Sequence, residues 1–249
     1  MNPGFLPLPD GRRLAFHRTE GSGQGVVFLG GFRSDMTGTK AVHLESRARA
    51  QGRPFLRFDY TGHGASSGDF LADGSIGQWA QDARNVLESL TDSPQILVGS
   101  SMGGWIALLL ARTIPHRIAA LVTIAAGPDF TEDSMWNGFD EGQKNDLLSK
   151  GCVELPSDYS EEPYVITRKL IEDGRRNLVL RSPLSLPFPV RMLHGTADTD
   201  VELAVALRLI DHADCDDLRL TLVKGADHRF STPECLALID QAIAEVTPA

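Results

Sequence analysis

The stretch Gln95–Arg112, QILVGSSMGGWIALLLAR, constrains the fold more than any other part of the chain. Ile96-Leu97-Val98 is an apolar run of strand length. Gly99-Ser100-Ser101-Met102-Gly103 follows, a G-x-S-x-G pattern with Gly104 behind it. Trp105 to Ala111 is then almost wholly apolar, as suits a helix packed inside a larger domain. A buried strand, a glycine-flanked serine and a buried helix in direct succession predict a sharp strand-to-helix turn.

The spacing has a chemical reason. A serine hydroxyl attacks poorly unless a base removes its proton, so it must project where a histidine can reach it. The sharp turn exposes it, at the cost of strained backbone angles and close approach of neighbouring chain. Glycines two before and two after Ser101 remove the side chains that would collide. The Met102 amide falls at a helix N-terminus, where it has no internal partner and carries partial positive charge. Ser101 is therefore the expected nucleophile, the Met102 N–H is one expected oxyanion donor, and Ser100 is expected to point into the fold. Glycines and serines also build ordinary tight turns, so the partners of Ser101 decide the reading.

At 249 residues the chain holds one α/β domain, or a core with an insertion. A net charge of −9 argues against nucleic acid or an anionic membrane surface as the main partner. Met1 to Asp10 shows no secretion signal, and no apolar stretch approaches the roughly 20 residues that span a bilayer. Cys152, Cys215 and Cys235 have the spacing of neither a disulfide framework nor a metal site. The expectation is a reducing compartment, most simply the cytoplasm, and chemistry that needs no metal or organic cofactor.

Strands alternate with helices along the chain, which predicts a mostly parallel sheet covered on both faces. Phe5–Leu8 and Arg13–His17 read as a hairpin about Pro9-Asp10-Gly11. Val26–Leu29, Pro54–Phe58 and Ile118–Ala126 read as strands, and Thr39–Arg49 and Ile76–Leu90 as helices. Between Pro128 and Pro187 the rhythm breaks into a charged, aromatic stretch with two expected helices, Glu141–Lys150 and Tyr164–Asp173. About sixty residues without a clear strand predict an inserted helical cap over 128–187, on a core of 1–127 and 188–249. The sheet then resumes with Val190–Leu193 and Leu218–Val223, with helices at Glu202–Ile210 and Pro233–Val246.

Asp198 follows one of these late strands, in HGTADTD, and His228 follows the last, in GADHR. Loops at the carboxyl ends of parallel strands share one edge, so Ser101, Asp198 and His228 can converge. The order serine, acid, histidine is that of α/β-hydrolases, and the chain resembles that superfamily over essentially its whole length. The resemblance implies a Ser101–His228–Asp198 triad. Asp129, after an earlier strand, is the rival acid, and Asp200 lies two residues from Asp198. His63 and His194 share the same edge as candidate supporting groups. Gly30-Gly31-Phe32 fits the loop that supplies the second oxyanion donor, the Phe32 amide, although an ordinary glycine turn would look the same.

GGFRSDMTGTKA, FLRFDYTGHGASSG, PQILVGSSMGGW, ELPSDY, PVRMLHGTADTDV and GADHR together resemble the family of the mitochondrial palmitoyl-protein thioesterase, also an acyl-glucuronide esterase, and its bacterial relatives. That resemblance implies hydrolysis of acyl thioesters or esters, with small molecules or S-acylated protein cysteines as substrates. No presequence is evident, so the organellar address is not carried over. Among the residues themselves, Phe130, Trp136, Phe139, Tyr159 and Tyr164 can line an acyl pocket or merely pack the cap. Arg33, Arg168, Lys169, Arg175 and Arg176 can meet a carboxylate or form a solvated face. Arg33, Trp136 and Phe139 are the expected substrate contacts. Two further readings stay open: carbon–carbon bond hydrolysis or acyl transfer on the same triad, and a binding protein that has lost turnover.

Overall fold

Alternate side chains of the central strands enter two different cores. Val27, Leu29 and Leu97 pack on one face of the sheet, and Val26, Phe28, Ile96 and Val98 on the other. Strands buried on both faces need helices on both sides, and the chain supplies them. A computed structural model describes residues 3–155 and 163–248.

The chain opens with an antiparallel hairpin, β1 (Gly4–Pro7) and β2 (Arg13–Thr19). Next come β3 (Val26–Leu29), α1 (Thr39–Gln51) and β4 (Phe55–Phe58). The short α2 (Phe70–Asp73) and α3 (Ile76–Leu90) lead to β5 (Gln95–Ser100), α4 (Met102–Thr113) and β6 (Ile118–Ile124). The segment after β6 holds a π-helical turn (Thr131–Trp136), α5 (Glu141–Lys150), β7 (Cys152–Leu155) and β8 (Tyr164–Thr167). It continues with α6 (Arg168–Arg176) and the two-residue β9 (Leu184–Ser185). Then follow β10 (Val190–Gly195), α7 (Leu203–His212), β11 (Ala213–Asp214), β12 (Leu218–Val223) and α8 (Pro233–Glu245).

The main sheet runs β1-β2-β4-β3-β5-β6-β10-β12, with the first two pairings antiparallel and the rest parallel. The strand that leads to Ser101 is therefore central. Helices α1 and α8 cover one face, while α3, α4 and α7 cover the other together with the segment after β6. That second layer explains why α4 is apolar all round. Every residue from Met102 to Ala111 is buried, and the Trp105 indole N–H donates to the Asn177 carbonyl at 3.0 Å.

The segment between β6 and β10 differs from its sequence reading. The helix expected over Tyr164–Asp173 begins only at Arg168, and Tyr164–Thr167 is a strand. Val165, Ile166 and Thr167 are β-branched, which favours the extended chain. Val153 and Ile166 face each other across the antiparallel β7–β8 pair and are both buried. Thr167 then caps α6, its hydroxyl accepting from the Leu170 amide at 3.2 Å. The stretch therefore has strands as well as helices. Helix α5 keeps its expected bounds because Asp140 and Gln143 close a capping box at its start. Tyr159 and part of the ELPSDY motif lie outside the described residues. Among the described residues no helix is long and apolar enough to cross a membrane.

Candidate active site

Ser101 sits between β5 and α4 with φ +55° and ψ −117°, a conformation a non-glycine residue adopts only when its surroundings enforce it. Its amide donates to the Ile124 carbonyl at 2.9 Å, and its carbonyl accepts from Gly104 at 2.9 Å and Gly127 at 3.2 Å. A Cβ on Gly99 would lie 2.5 Å from the Gly103 oxygen and 2.8 Å from the Gly104 Cα. A Cβ on Gly103 would overlap the Leu29 carbonyl. Both glycines are required because α4 starts against the ends of β3 and β5. Ser100 is the last residue of β5 and is buried, while it also borders the cleft described below.

The loops after β10 and β12 bring two more groups to this turn. His228 Nε2 lies 3.1 Å from Ser101 Oγ, across 127 positions of sequence. His228 Nδ1 lies 2.9 and 3.1 Å from the two carboxylate oxygens of Asp198, whose side chain is fully buried. With Nδ1 protonated towards the carboxylate, Nε2 is free to accept the serine proton. Asp198 Oδ1 also accepts from the amides of Asp200 and Val201 at 2.9 and 2.8 Å. Burial pushes the Asp198 carboxyl up, but the His228 hydrogen bond and these amides outweigh it and hold its pKa below the usual value. His194 is buried beside this loop, and its Nε2 meets the Val201 carbonyl at 3.0 Å. It thus ties down the turn that carries Asp198.

The rival acids are placed otherwise. Asp129 is fully buried, accepts from the Val179 and Leu180 amides at 2.7 and 3.0 Å, and pairs with Arg181 at 2.5 Å. It anchors the segment after β6. Asp200 Oδ2 comes within 4.0 Å of His228 Nε2, on the serine side of the ring.

The second expected donor loop runs past the serine. A Cβ on Gly31 would sit 3.5 Å from Ser101 Cβ. The Phe32 ring is wedged among Phe70, Trp79 and Phe130, at centroid distances of 5.2, 5.9 and 5.7 Å. The Met102 amide starts α4 directly after the serine. Two backbone N–H groups, those of Phe32 and Met102, thus belong to segments adjoining Ser101.

Ser101 and His228 line a cleft of about 830 Å³. Phe130, Met135, Phe139, Leu155 and Ile166 give it an apolar wall from the segment after β6, and Arg33, Lys40 and Asp200 line it elsewhere. Of the expected substrate contacts, Arg33 and Phe139 are in the cleft and Trp136 is not. The Trp136 ring is instead covered by Arg175, 4.4 Å from its centroid, and faced by Lys144 at 5.8 Å. The half-buried ring packs on the core on one side and meets two cations on the other, which its spacing alone does not reveal. Arg168, Arg175 and Arg176 pair with Glu172, Glu132 and Asp173, and Lys169 donates to the Ala72 carbonyl. None of these four lines the cleft. Sequence reasoning overlooked Lys40, whose ammonium donates to the Arg229 carbonyl beside His228, and which burial pushes down to about 8. A lysine in the first turn of a helix carries no signal of this.

A family model described as serine aminopeptidase matches residues 24–150, half of the chain. A palmitoyl-protein thioesterase of Rattus norvegicus, ABHD10, is 38% identical over 91% of this chain and 76% of its own length. The chain belongs to the α/β-hydrolase family. The Homo sapiens thioesterase of the same name is 33% identical over 97% of this α/β-hydrolase and 79% of its own length. The solved structure of a putative hydrolase from Agrobacterium vitis S4 superposes with a TM-score of 0.94, at 39% identity, covering 99% of this chain and 98% of the other. That of the mouse ABHD10 protein gives 0.90 at 33% identity, covering 99% and 100%. This α/β-hydrolase is thus a serine hydrolase of the esterase and thioesterase kind. These relatives correct one expectation: the thioesterases are named as mitochondrial, so the cytoplasmic assignment does not stand. Unbridged cysteines suit any reducing compartment, and an organelle address is read by receptors from dedicated segments, not from composition.

Proposed function

We propose that this hydrolase cleaves long-chain acyl thioesters and esters through an acyl-serine, with Ser101 as nucleophile, His228 as general base and acid, and Asp198 orienting the imidazole. The observation that carries the reading is the Asp198–His228–Ser101 hydrogen-bond chain opening on a cleft with an apolar wall. His228 Nε2 takes the Ser101 proton as Oγ bonds to the acyl carbon. The Phe32 and Met102 amides hold the oxyanion. Collapse breaks the bond to the leaving thiol or alcohol, which receives the proton from His228. Water then attacks the acyl-serine, gives its proton to His228 and releases the acid, with the proton returned to Ser101 Oγ.

Residues 128–187 act as a cap whose Phe130, Phe139 and Ile166 receive the acyl chain. A cleft of several hundred cubic ångströms with a mainly apolar lining suits such a group. The name shared by the thioesterase relatives supports a thioester substrate, including S-acylated cysteines of proteins. Arg33, at the cleft wall, is placed to contact the substrate.

The test mixes purified protein with p-nitrophenyl esters and acyl-CoA thioesters of graded chain length and follows the first turnover. A stoichiometric burst, blocked by a fluorophosphonate and absent from Ser101→Ala, is expected, with rates rising toward long chains. Activity that survives Ser101→Ala would sink the assignment. Transfer of the acyl group to an added alcohol in preference to water would favour the acyltransferase reading.

A further inference from the structure

We infer that His63 is a positioning residue for the oxyanion hole, holding the turn Gly31–Ser34 through the Arg33 amide. The inference rests on the proposed role of the Phe32 N–H. His63 belongs to the glycine-rich turn after β4 and touches neither Ser101 nor the expected substrate path. Its ring is 4% exposed and caged by Tyr60, Phe70 and Trp79, at centroid distances of 5.7, 5.1 and 5.2 Å.

The two ring nitrogens have different partners. Nδ1 lies 3.3 Å from the Thr61 carbonyl oxygen, which can only accept, so Nδ1 carries the proton. Nε2 lies 3.2 Å from the Arg33 amide nitrogen, which can only donate, so Nε2 presents its lone pair. The imidazole is thus a two-ended neutral connector from the β4 turn to the loop after β3.

What it holds is a strained turn. Arg33 has φ +56°, in the left-handed region that non-glycine residues avoid unless fixed by their surroundings. The same turn is closed by the Ser34 amide donating to the Gly31 carbonyl and the Gly31 amide donating to Ser34 Oγ, both at 3.2 Å. The Arg33 guanidinium is held between the Phe70 and Tyr164 rings, at 5.1 and 4.9 Å. The Phe32 peptide lies between these restraints, so its N–H direction is set by how firmly they act. Without an acceptor at Nε2, the part-buried Arg33 amide would turn toward another partner and carry the Phe32 peptide with it. A displacement of about 1 Å at a reacting group costs on the order of 100-fold in rate.

The experiment compares wild type, His63→Phe and His63→Gln on one p-nitrophenyl ester, with thermal unfolding of each. Phenylalanine keeps an aromatic ring without the acceptor; glutamine keeps an acceptor where Nε2 stands. His63→Phe is expected to lose about 100-fold in kcat with KM changed less than threefold, and His63→Gln to recover most of that loss. Equal kcat in His63→Phe and wild type overturns the inference, as does a folded His63→Gln as slow as His63→Phe. A wild type without a Ser101-dependent burst instead sinks the underlying catalytic reading. Should His63→Phe not fold, nitrogen-15 spectra of the wild-type histidines decide. A neutral His63 protonated on Nδ1 is expected, and one protonated on Nε2 overturns the inference.

Discussion

Both carboxylate oxygens of Asp198 lie within hydrogen-bond distance of His228 Nδ1, at 2.9 and 3.1 Å. This contact fixes which ring nitrogen bears the proton, and so which one faces Ser101. Asp198→Asn presents an amide to the same nitrogen and favours the wrong tautomer. We expect kcat to fall by about 10³–10⁴ with KM little changed. A steady-state assay checks this, and a loss under tenfold would remove Asp198 from the mechanism.

Asp129 makes the opposite case. Its buried carboxylate accepts from two amides and pairs with Arg181, so Asp129→Asn removes the charge from a fully desolvated site. The expected effect is a loss of stability of about 1–3 kcal/mol. An amide in place of the carboxylate cannot accept from both the Val179 and Leu180 amides, while Arg181 keeps its pairing with Asp133. Folded Asp129→Asn should turn over with kcat within an order of magnitude of wild type. Urea unfolding paired with kcat measured well below the midpoint tests both halves. Normal stability with abolished turnover would restore Asp129 as the catalytic acid.

Acid stability reports on His63. Burial pushes its pKa from 6.5 down to about 4. Between those values the unfolded chain takes up a proton that the folded chain refuses, so stability falls as pH falls through that window, by at most ~3 kcal/mol. His63→Gln lacks the group. Its urea midpoint should therefore decline less than that of wild type between pH 6.5 and 4, and parallel declines would contradict the burial of a neutral imidazole.

Phe139 and Trp136, three residues apart, separate substrate contact from packing outside the cleft. Phe139 is 6% exposed and lines the cleft, so Phe139→Ala enlarges it. We expect the preferred acyl chain to lengthen and stability to drop by about 3 kcal/mol. Trp136→Ala, which removes a ring packed on the core and covered by Arg175 outside the cleft, should lower stability but leave the chain-length profile unchanged. Rates over C4 to C16 p-nitrophenyl esters distinguish the two, and a profile altered by Trp136→Ala alone would reverse the placement.

Much of this was legible along the chain because it is local. Gly99 and Gly103 stand two positions either side of Ser101, and the Gly99 collision is with the turn itself, at Gly103 and Gly104. The Gly103 collision is with Leu29 and Gly30 at the end of the neighbouring strand, so the motif's spacing shows the turn but not that second contact. Strand and helix alternation follows from which faces are apolar, so the sheet and its flanking helices could be read in order. Helix α1 is capped by Gly52, in the left-handed conformation glycine accepts most readily. Tyr164–Thr167 was misread because four residues hold too little periodicity to tell a strand from the first turn of a helix, and its partner β7 is what makes it a strand.

By itself, the sequence determined the Ser101 turn, the alternating α/β architecture and the order of serine, acid and histidine. Tertiary structure alone decided which carboxylate meets His228, that Asp129 anchors α6's neighbourhood instead, that Trp136 leaves the cleft, and that His63 holds the Arg33 amide. The physical reason is distance along the chain. Periodicity and turn chemistry act over a few residues, whereas His228 and Ser101 are 127 positions apart and Arg33 and His63 are 30. Hydrogen bonds of that span form only after the sheet has set the edge on which the loops meet.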